Sequence, residues 1–93
     1  MQHKIVFIAF AICVSILSFG KTLGAEEAKD WFQEGNRLAR EGRFDSAVEA
    51  YQKSLKLNPG ATVVYYNLGL AHKKMKQYEQ AVTALEKAVE MEP

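Results

Sequence analysis

The chain is poor in the residues that most often carry chemistry. Of its 93 residues one is cysteine, Cys13, and it sits inside an apolar N-terminal run. No intrachain disulfide and no cysteine-ligated metal site can form. Histidine is scarce too. His3 and His72 are the only two, and they do not stand at the short spacing that metal ligands need. His72 reads as a structural residue on a packed helix face. Neither sign of charge dominates, with twelve Lys and Arg against eleven Asp and Glu. Phosphate binding needs a clustered basic surface, so nucleic acid is excluded as a partner. Gly20, Gly24 and Gly60 follow no strand and make no phosphate loop. Glu86 and Glu90 lie four apart, as many solvated helix pairs do. Glu49 and Lys53 read as a surface ion pair at the same spacing. No catalytic constellation remains, so the expectation is no enzyme and no cofactor. At this length one small domain is the upper bound.

What the chain does have begins with an apolar segment. Met1 to Lys4 is short and basic, and Ile5 to Phe19 is apolar except for Ser15 and Ser18. Thr22 to Ala25 brings small residues, and acidic Glu26 and Glu27 follow. This is the three-part pattern of a secretory signal peptide. All eleven acidic residues come after Gly24, and only Lys4 and Lys21 of the twelve basic ones come before it. Residues 1–24 are therefore a signal peptide or a retained signal anchor, with a buried core helix as the third reading. A spanning helix needs about 20 apolar residues, and Ile5 to Gly20 is slightly short of that. Either of the first two readings puts residue 25 onward outside the cytosol, periplasmic, secreted or membrane-anchored, if the basic end stays inside.

The rest of the chain repeats itself at a distance of 34. Trp31 falls on Tyr65, Gly35 on Gly69, Phe44 on Tyr78, Ala47 on Ala81 and Val48 on Val82. Tyr51 falls on Leu85, Lys53 on Lys87, Leu55 on Val89 and Pro59 on Pro93. A fixed period of this size marks stacked repeats. Each unit reads as two helices. The first unit predicts helices over 28–41 and 44–57, broken at Gly42-Arg43, since glycine is a usual helix stop. Asn58-Pro59-Gly60 is a strong turn. The second unit predicts helices over 62–75 and 78–91, with Lys76-Gln77 between them. Gly35 and Gly69 remove a side chain where the partner helix approaches, and Ala47 and Ala81 keep the facing side thin. A glycine inside a helix costs about 1 kcal/mol relative to alanine, so close packing must offset it. Trp31, Phe44, Tyr51, Tyr65 and Tyr78 fill the space around these thin points.

The run Trp31, Glu34-Gly35, Leu38, Ala47, Tyr51 and Pro59 resembles a tetratricopeptide repeat. So does Tyr65, Leu68-Gly69, His72, Ala81, Leu85, Ala88 and Pro93. The resemblance covers residues 28–93, as repeat one over 28–61 and repeat two over 62–93, within a region spanning 25–93. Three positions depart from the family pattern: Glu34 replaces a leucine, Ser54 a small apolar residue and His72 an aromatic. The resemblance implies an all-α fold, two tandem helix-turn-helix hairpins that begin a right-handed α-solenoid after the N-terminal apolar helix. It also implies a partner-binding groove lined by the first helices. Its residues here would be Lys29, Phe32, Gln33, Asn36 and Arg40, then Val63, Tyr66, Asn67, Leu70, Lys73 and Lys74. Asn36 and Asn67 stand where some members clamp a C-terminal carboxylate, but such a clamp needs a lysine where this chain has Phe32. An ordinary polar groove is the plainer reading of the two amides. Lys73, Lys74 and Lys76 make a small basic cluster, by default a solvated helix end.

Repeats bury each unit against the next, and a terminal unit carries a polar outer face. No such face follows Tyr78, Val82, Leu85 and Val89. This strip is expected to lack a neighbour, to be supplied by further chain, by self-association with a second copy, or by another protein. The functional expectation is an extracytoplasmic scaffold that binds a protein or peptide, touching membrane only through an uncleaved N-terminus. The alternatives are the N-terminal repeat region of a larger enzyme and a membrane-anchored structural assembly component.

Overall fold

The computed structural model of the chain describes residues 24–92. The segment read as a signal or anchor, residues 1–23, lies outside the described residues, as does Pro93. Four helices and no strand occur among the described residues. Helix α1 occupies residues 24–40. Helices α2 (Phe44–Leu57), α3 (Thr62–Lys74) and α4 (Tyr78–Met91) follow. Three of the four agree with the predicted spans to within a residue. The first differs at its start, which the sequence pattern puts at Ala28. That expectation rests on the first buried position, and Ala28 is indeed buried. Ala25, Glu26 and Glu27 are exposed and still helical, because alanine and glutamate favour helix without needing a packing partner.

The two hairpin turns are the same structure written twice. In the first, the Arg43 N–H donates to the Leu38 carbonyl at 2.9 Å and the Gly42 N–H to Ala39 at 3.0 Å. In the second, Gln77 donates to His72 at 2.9 Å and Lys76 to Lys73 at 2.9 Å. Every donor and acceptor is displaced by 34. The pairing satisfies the last carbonyls of the helix and requires a left-handed residue just after it. Gly42 supplies this at φ 80°, and Lys76 supplies it at φ 62°. Between the repeats, the Gly60 N–H reaches the Asn58 side-chain oxygen at 3.3 Å. The turn thus closes on its own side chain.

The helices pack where the small residues allow it. A Cβ added at Gly35 would come 2.5 Å from the Tyr51 ring. One added at Gly69 would come 2.8 Å from the Leu85 side chain and 3.2 Å from the Ala81 carbonyl oxygen. Tyr51 and Leu85 are themselves related by the repeat, so one contact is made in both hairpins. Helix α3 packs against both α2 and α4. The core runs through Leu38, Ala47, Val48, Tyr51, Val64, Leu68, Ala71 and Ala84. Burying a large apolar side chain contributes about 1.5–3 kcal/mol, and most of these residues come from α2 and α3.

Two of the unusual positions find their own solutions. Ser54 is buried, and its hydroxyl donates to the Ala28 carbonyl at 2.7 Å. That bond ties α2 to the early part of α1. Glu34 lies half-buried on the outer side of α1 and pairs with Arg37, which also pairs with Glu41. The paired guanidinium lowers the Glu34 pKa, and the two carboxylates raise that of Arg37. Two side-chain expectations need correction. Lys53 does not pair with Glu49 among the described residues. Its ammonium lies 4.3 Å from the centre of the Trp31 ring instead, where the negative face of the indole attracts it. His72 is half-buried rather than packed inside, and its Nδ1 meets Gln77 Oε1 at 2.7 Å across the turn.

Candidate functional site

The first helices of the two hairpins, α1 and α3, lie side by side with α2 beneath them. Their shared face carries a hydrogen-bonded set of three residues. The Tyr51 hydroxyl, rising from α2, donates to Asn36 Oδ1 at 2.6 Å. Asn67 Nδ2, from α3, donates to the same oxygen at 2.9 Å. One amide oxygen therefore joins three helices and both repeats. Tyr51 is 2% exposed, and burial pushes its phenol pKa up from 10.0. The Asn67 amide and the positive charge of Arg40 offset part of that rise.

Around this set is a cleft of about 330 Å³, lined by Asn36, Ala39, Arg40, Phe44, Tyr51, Asn67, Leu70, Ala71 and Lys74. Arg40 and Lys74 are exposed, and each occupies the same place in its own repeat. Neither takes part in an ion pair among the described residues, where the pairs belong to Arg37. No carboxylate lines the cleft. It combines an apolar floor, two cations and amide groups, which suits a segment with apolar side chains and an acidic one. The second proton of Asn67 Nδ2 and both protons of Asn36 Nδ2 are not used in the bond between the two amides.

Of the residues expected in the groove, Asn36, Arg40, Asn67, Leu70 and Lys74 are brought together in this cleft. Lys29, Phe32, Gln33, Val63, Tyr66 and Lys73 are not part of its lining. Val63 and Tyr66 stand about half exposed on α3. Gln33 lines an adjoining, charged depression with Asp30, Glu34 and Arg37, which shares Asn36 and Arg40 with the cleft. Phe32 packs against Tyr51 with ring centres 6.1 Å apart. It thus turns inward at the place where a carboxylate clamp would need a lysine. Sequence reasoning misses Ala39, Phe44, Tyr51 and Ala71 as groove residues. It assigns Tyr51 wholly to the packing around Gly35 and Ala47. The signal that could separate the two roles is its hydroxyl, since a buried phenol needs a polar partner and Leu85 occupies its place in the second repeat.

Comparison with known proteins decides the family. A family model described as TPR repeat matches residues 35–76, and one described as tetratricopeptide repeat matches residues 62–93. Residues 35–93 are tetratricopeptide repeats. The crystal structure of MamA superposes with a TM-score of 0.68 at 32% identity, covering 70% of this chain and 38% of that one. A mutant of MamA gives 0.70 at 27% identity, covering 71% and 48%. Among curated relatives, the small glutamine-rich tetratricopeptide repeat-containing protein 2 of Saccharomyces cerevisiae is 30% identical over 67 residues. The mitochondrial import receptor subunit TOM34 of Pongo abelii is 33% identical over 67 residues. Each alignment takes in 72% of this chain but only 19% and 22% of the relative. The chain thus spans about a fifth of the length of those relatives. The tetratricopeptide repeats account for both hairpins, the two glycine contacts and the α1–α3 face.

Proposed function

We propose that this chain is an extracytoplasmic interaction scaffold, holding a segment of another protein on the α1–α3 face and catalysing nothing itself. The observation that carries the reading is the cleft over Tyr51, where Arg40 and Lys74 stand beside an apolar floor without an ion-pair partner among the described residues. The bound segment is one that places an acidic residue between those two cations and an apolar one against Leu70 and Phe44. The names of similar proteins fit a role in assembly, with an import receptor subunit and an Hsp70-Hsp90 organising protein of Plasmodium falciparum, 32% identical over 56 residues, among them. Among the described residues no group of three or more His, Cys, Asp or Glu could hold a metal ion.

The extracytoplasmic part of the proposal rests on the pattern of residues 1–24. Among the described residues no helix is long and apolar enough to cross a membrane. If the apolar run of residues 5–19 is retained, the same scaffold becomes a membrane-anchored assembly component.

Selection of a random peptide library on the 93-residue chain tests the groove. The recovered sequences are expected to combine acidic and apolar residues, and Arg40→Glu with Lys74→Glu is expected to abolish their binding. Peptides without acidic enrichment, or binding indifferent to both substitutions, would overturn the reading. A phosphatase that is active only outside the cytosol, fused after Pro93, tests the location. Activity is expected, and a silent fusion would place the repeats inside.

A further inference from the structure

The charges of the two hairpins are sorted by end. Each hairpin is an antiparallel pair, and the two stand side by side, so both tight turns fall at one end of the molecule. Arg40, Arg43, Lys73, Lys74 and Lys76 gather there, all exposed, against the carboxylates Glu41, Asp45 and Glu79. Glu41 is already held by Arg37. At the opposite end Glu26, Glu27, Asp30, Glu90 and Glu92 outnumber Lys29 and Lys56. A chain of nearly balanced charge is thus positive at its turns and negative at its other end. Among the described residues none of the cations at the turns forms an ion pair. Glu34, itself paired with Arg37, feels Arg43 at longer range.

Helix ends alone do not ask for this excess. The turns join the negative C-termini of α1 and α3 to the positive N-termini of α2 and α4, so the helix dipoles there offset one another. Lys73 and Lys74 in a last turn, and Asp45 and Glu79 in first turns, follow the dipole rule. Arg43 and Lys76 break local rules. Arg43 is the N-cap of α2, at the positive end of that helix, and its side chain makes no cap bond. Serine, threonine, aspartate or asparagine would suit the place better. Lys76 stands in left-handed backbone at φ 62°, where repeat one has Gly42. It is the one residue other than glycine in that region among those described. Both positions give up local stability, and both add a cation at the same end. Such violations collect where a side chain has a task outside the fold.

Both positions adjoin the cleft. Arg43 directly precedes Phe44, and Lys76 follows two residues after Lys74, and Phe44 and Lys74 line it. We propose that Arg43 and Lys76 extend the α1–α3 cleft into a cationic rim, which takes a run of acidic residues adjoining the part of the bound segment that sits in the cleft. The proposal rests on the reading of the cleft as a groove for a protein segment. Recognition is by charge along the segment, so the segment need not end there and no terminal carboxylate is required. A lipid surface offers the same charge, but it has no side chain to set against Leu70 and Phe44 beside the rim.

The test uses the 93-residue chain and two labelled peptides with amidated C-termini. Both carry the same core of one acidic and one apolar residue for the cleft, flanked on both sides by glutamates in one and by serines in the other. Fluorescence anisotropy at low salt is expected to show the glutamate peptide binding about tenfold more tightly, as two or three exposed ion pairs would give. Raising the salt to about 0.5 M should remove most of that preference. Arg43→Ser with Lys76→Asn should bring the two peptides to within about twofold of each other, with the affinity of the serine peptide unchanged. Serine suits an N-cap and asparagine tolerates left-handed backbone, so the substituted chain should melt no lower than the parent. Equal binding of the two peptides by the parent, or a preference that survives both substitutions, would overturn the proposal and leave the reading of the cleft standing. No binding of either peptide would overturn both. Vesicles of phosphatidylglycerol and phosphatidylcholine in equal parts serve as the other probe. If they bind the parent and not the substituted chain, a lipid surface is the occupant and the proposal fails.

Discussion

Lys76 holds, at the end of α3, the left-handed backbone that Gly42 holds at the end of α1. The two sit 34 residues apart in matching hydrogen-bonded turns, at φ 62° and φ 80°. A side chain in that region costs about 1–2 kcal/mol, and glycine avoids the cost. Part of the gain is cancelled because glycine is freer in the unfolded chain. Lys76→Gly is therefore expected to stabilise the second hairpin by about 0.5–1 kcal/mol. That corresponds to a rise in Tm of up to about 4–8 °C for a domain of this size. Thermal melts followed by circular dichroism measure it, and an unchanged or lower Tm would mean that the lysine is not strained there.

Gly35 and Gly69 face the same kind of contact but should not tolerate alanine equally. At Gly35 the obstacle is the Tyr51 ring, which is buried and pinned by its hydroxyl to Asn36. At Gly69 the obstacles are the Leu85 side chain at 2.8 Å and the Ala81 carbonyl oxygen at 3.2 Å. Leu85 is half-buried on the open side of α4 and freer to shift than the pinned ring. The carbonyl oxygen need give by only a few tenths of an ångström. Alanine gains about 1 kcal/mol of helix propensity at either site. Overpacking of about 1–3 kcal/mol opposes it where the neighbour cannot move. Gly35→Ala is expected to lower stability clearly, and Gly69→Ala to stay within about 1 kcal/mol of the parent. Urea unfolding of the two variants compares them directly. The opposite order would mean that Tyr51 yields more easily than Leu85.

The repeat makes these two glycines readable from sequence, because their packing recurs at equal spacing and each hairpin repeats the other. Helix limits are readable for the same reason, with glycine, proline and the apolar stripe all changing at the same places. Contacts between one helix and the next are harder to read. Lys53 has Glu49 within reach on its own helix, yet it lies on Trp31 of the neighbouring one. Helical spacing reports same-helix neighbours, and nothing in it ranks them against a ring brought close when the hairpin closes. Tyr51 shows the same difficulty in one side chain. Its ring follows the core stripe of α2, whereas its hydroxyl emerges between α1 and α3.

Ser54 fills a place where the family has a small apolar residue, and its hydroxyl donates to the Ala28 carbonyl. Ser54→Ala fits the space and removes one buried hydrogen bond, while the Ala28 carbonyl can keep its helical partner. The expected loss is about 0.5–1.5 kcal/mol, felt where α2 holds the early turns of α1. Hydrogen exchange resolves this, with faster exchange expected in α1 and little change in α4. Uniform acceleration across all helices would mean that the bond stabilises the whole fold and not one junction.

Tyr51 gives the fold a dependence on alkaline pH. Burial raises its pKa above 10.0, with Asn67 and Arg40 opposing part of the shift. The folded state thus holds the phenol proton more tightly than the unfolded chain does. The resulting stability is fully present below the unfolded value, near pH 10.0, and is lost as pH rises through the higher folded value. At neutral pH, Tyr51→Phe should cost about 1 kcal/mol, since the bond to Asn36 disappears while the ring packing survives. Above about pH 10 the parent must also keep its buried phenol protonated, and the phenylalanine variant escapes that demand. The difference in Tm between the two proteins is therefore expected to stay constant from about pH 7 to 9 and to shrink beyond about pH 10. A difference that held its size into the alkaline range would show that the phenol ionises as readily in the fold as in the unfolded chain, which a ring sealed beneath Asn36 and Asn67 should not permit.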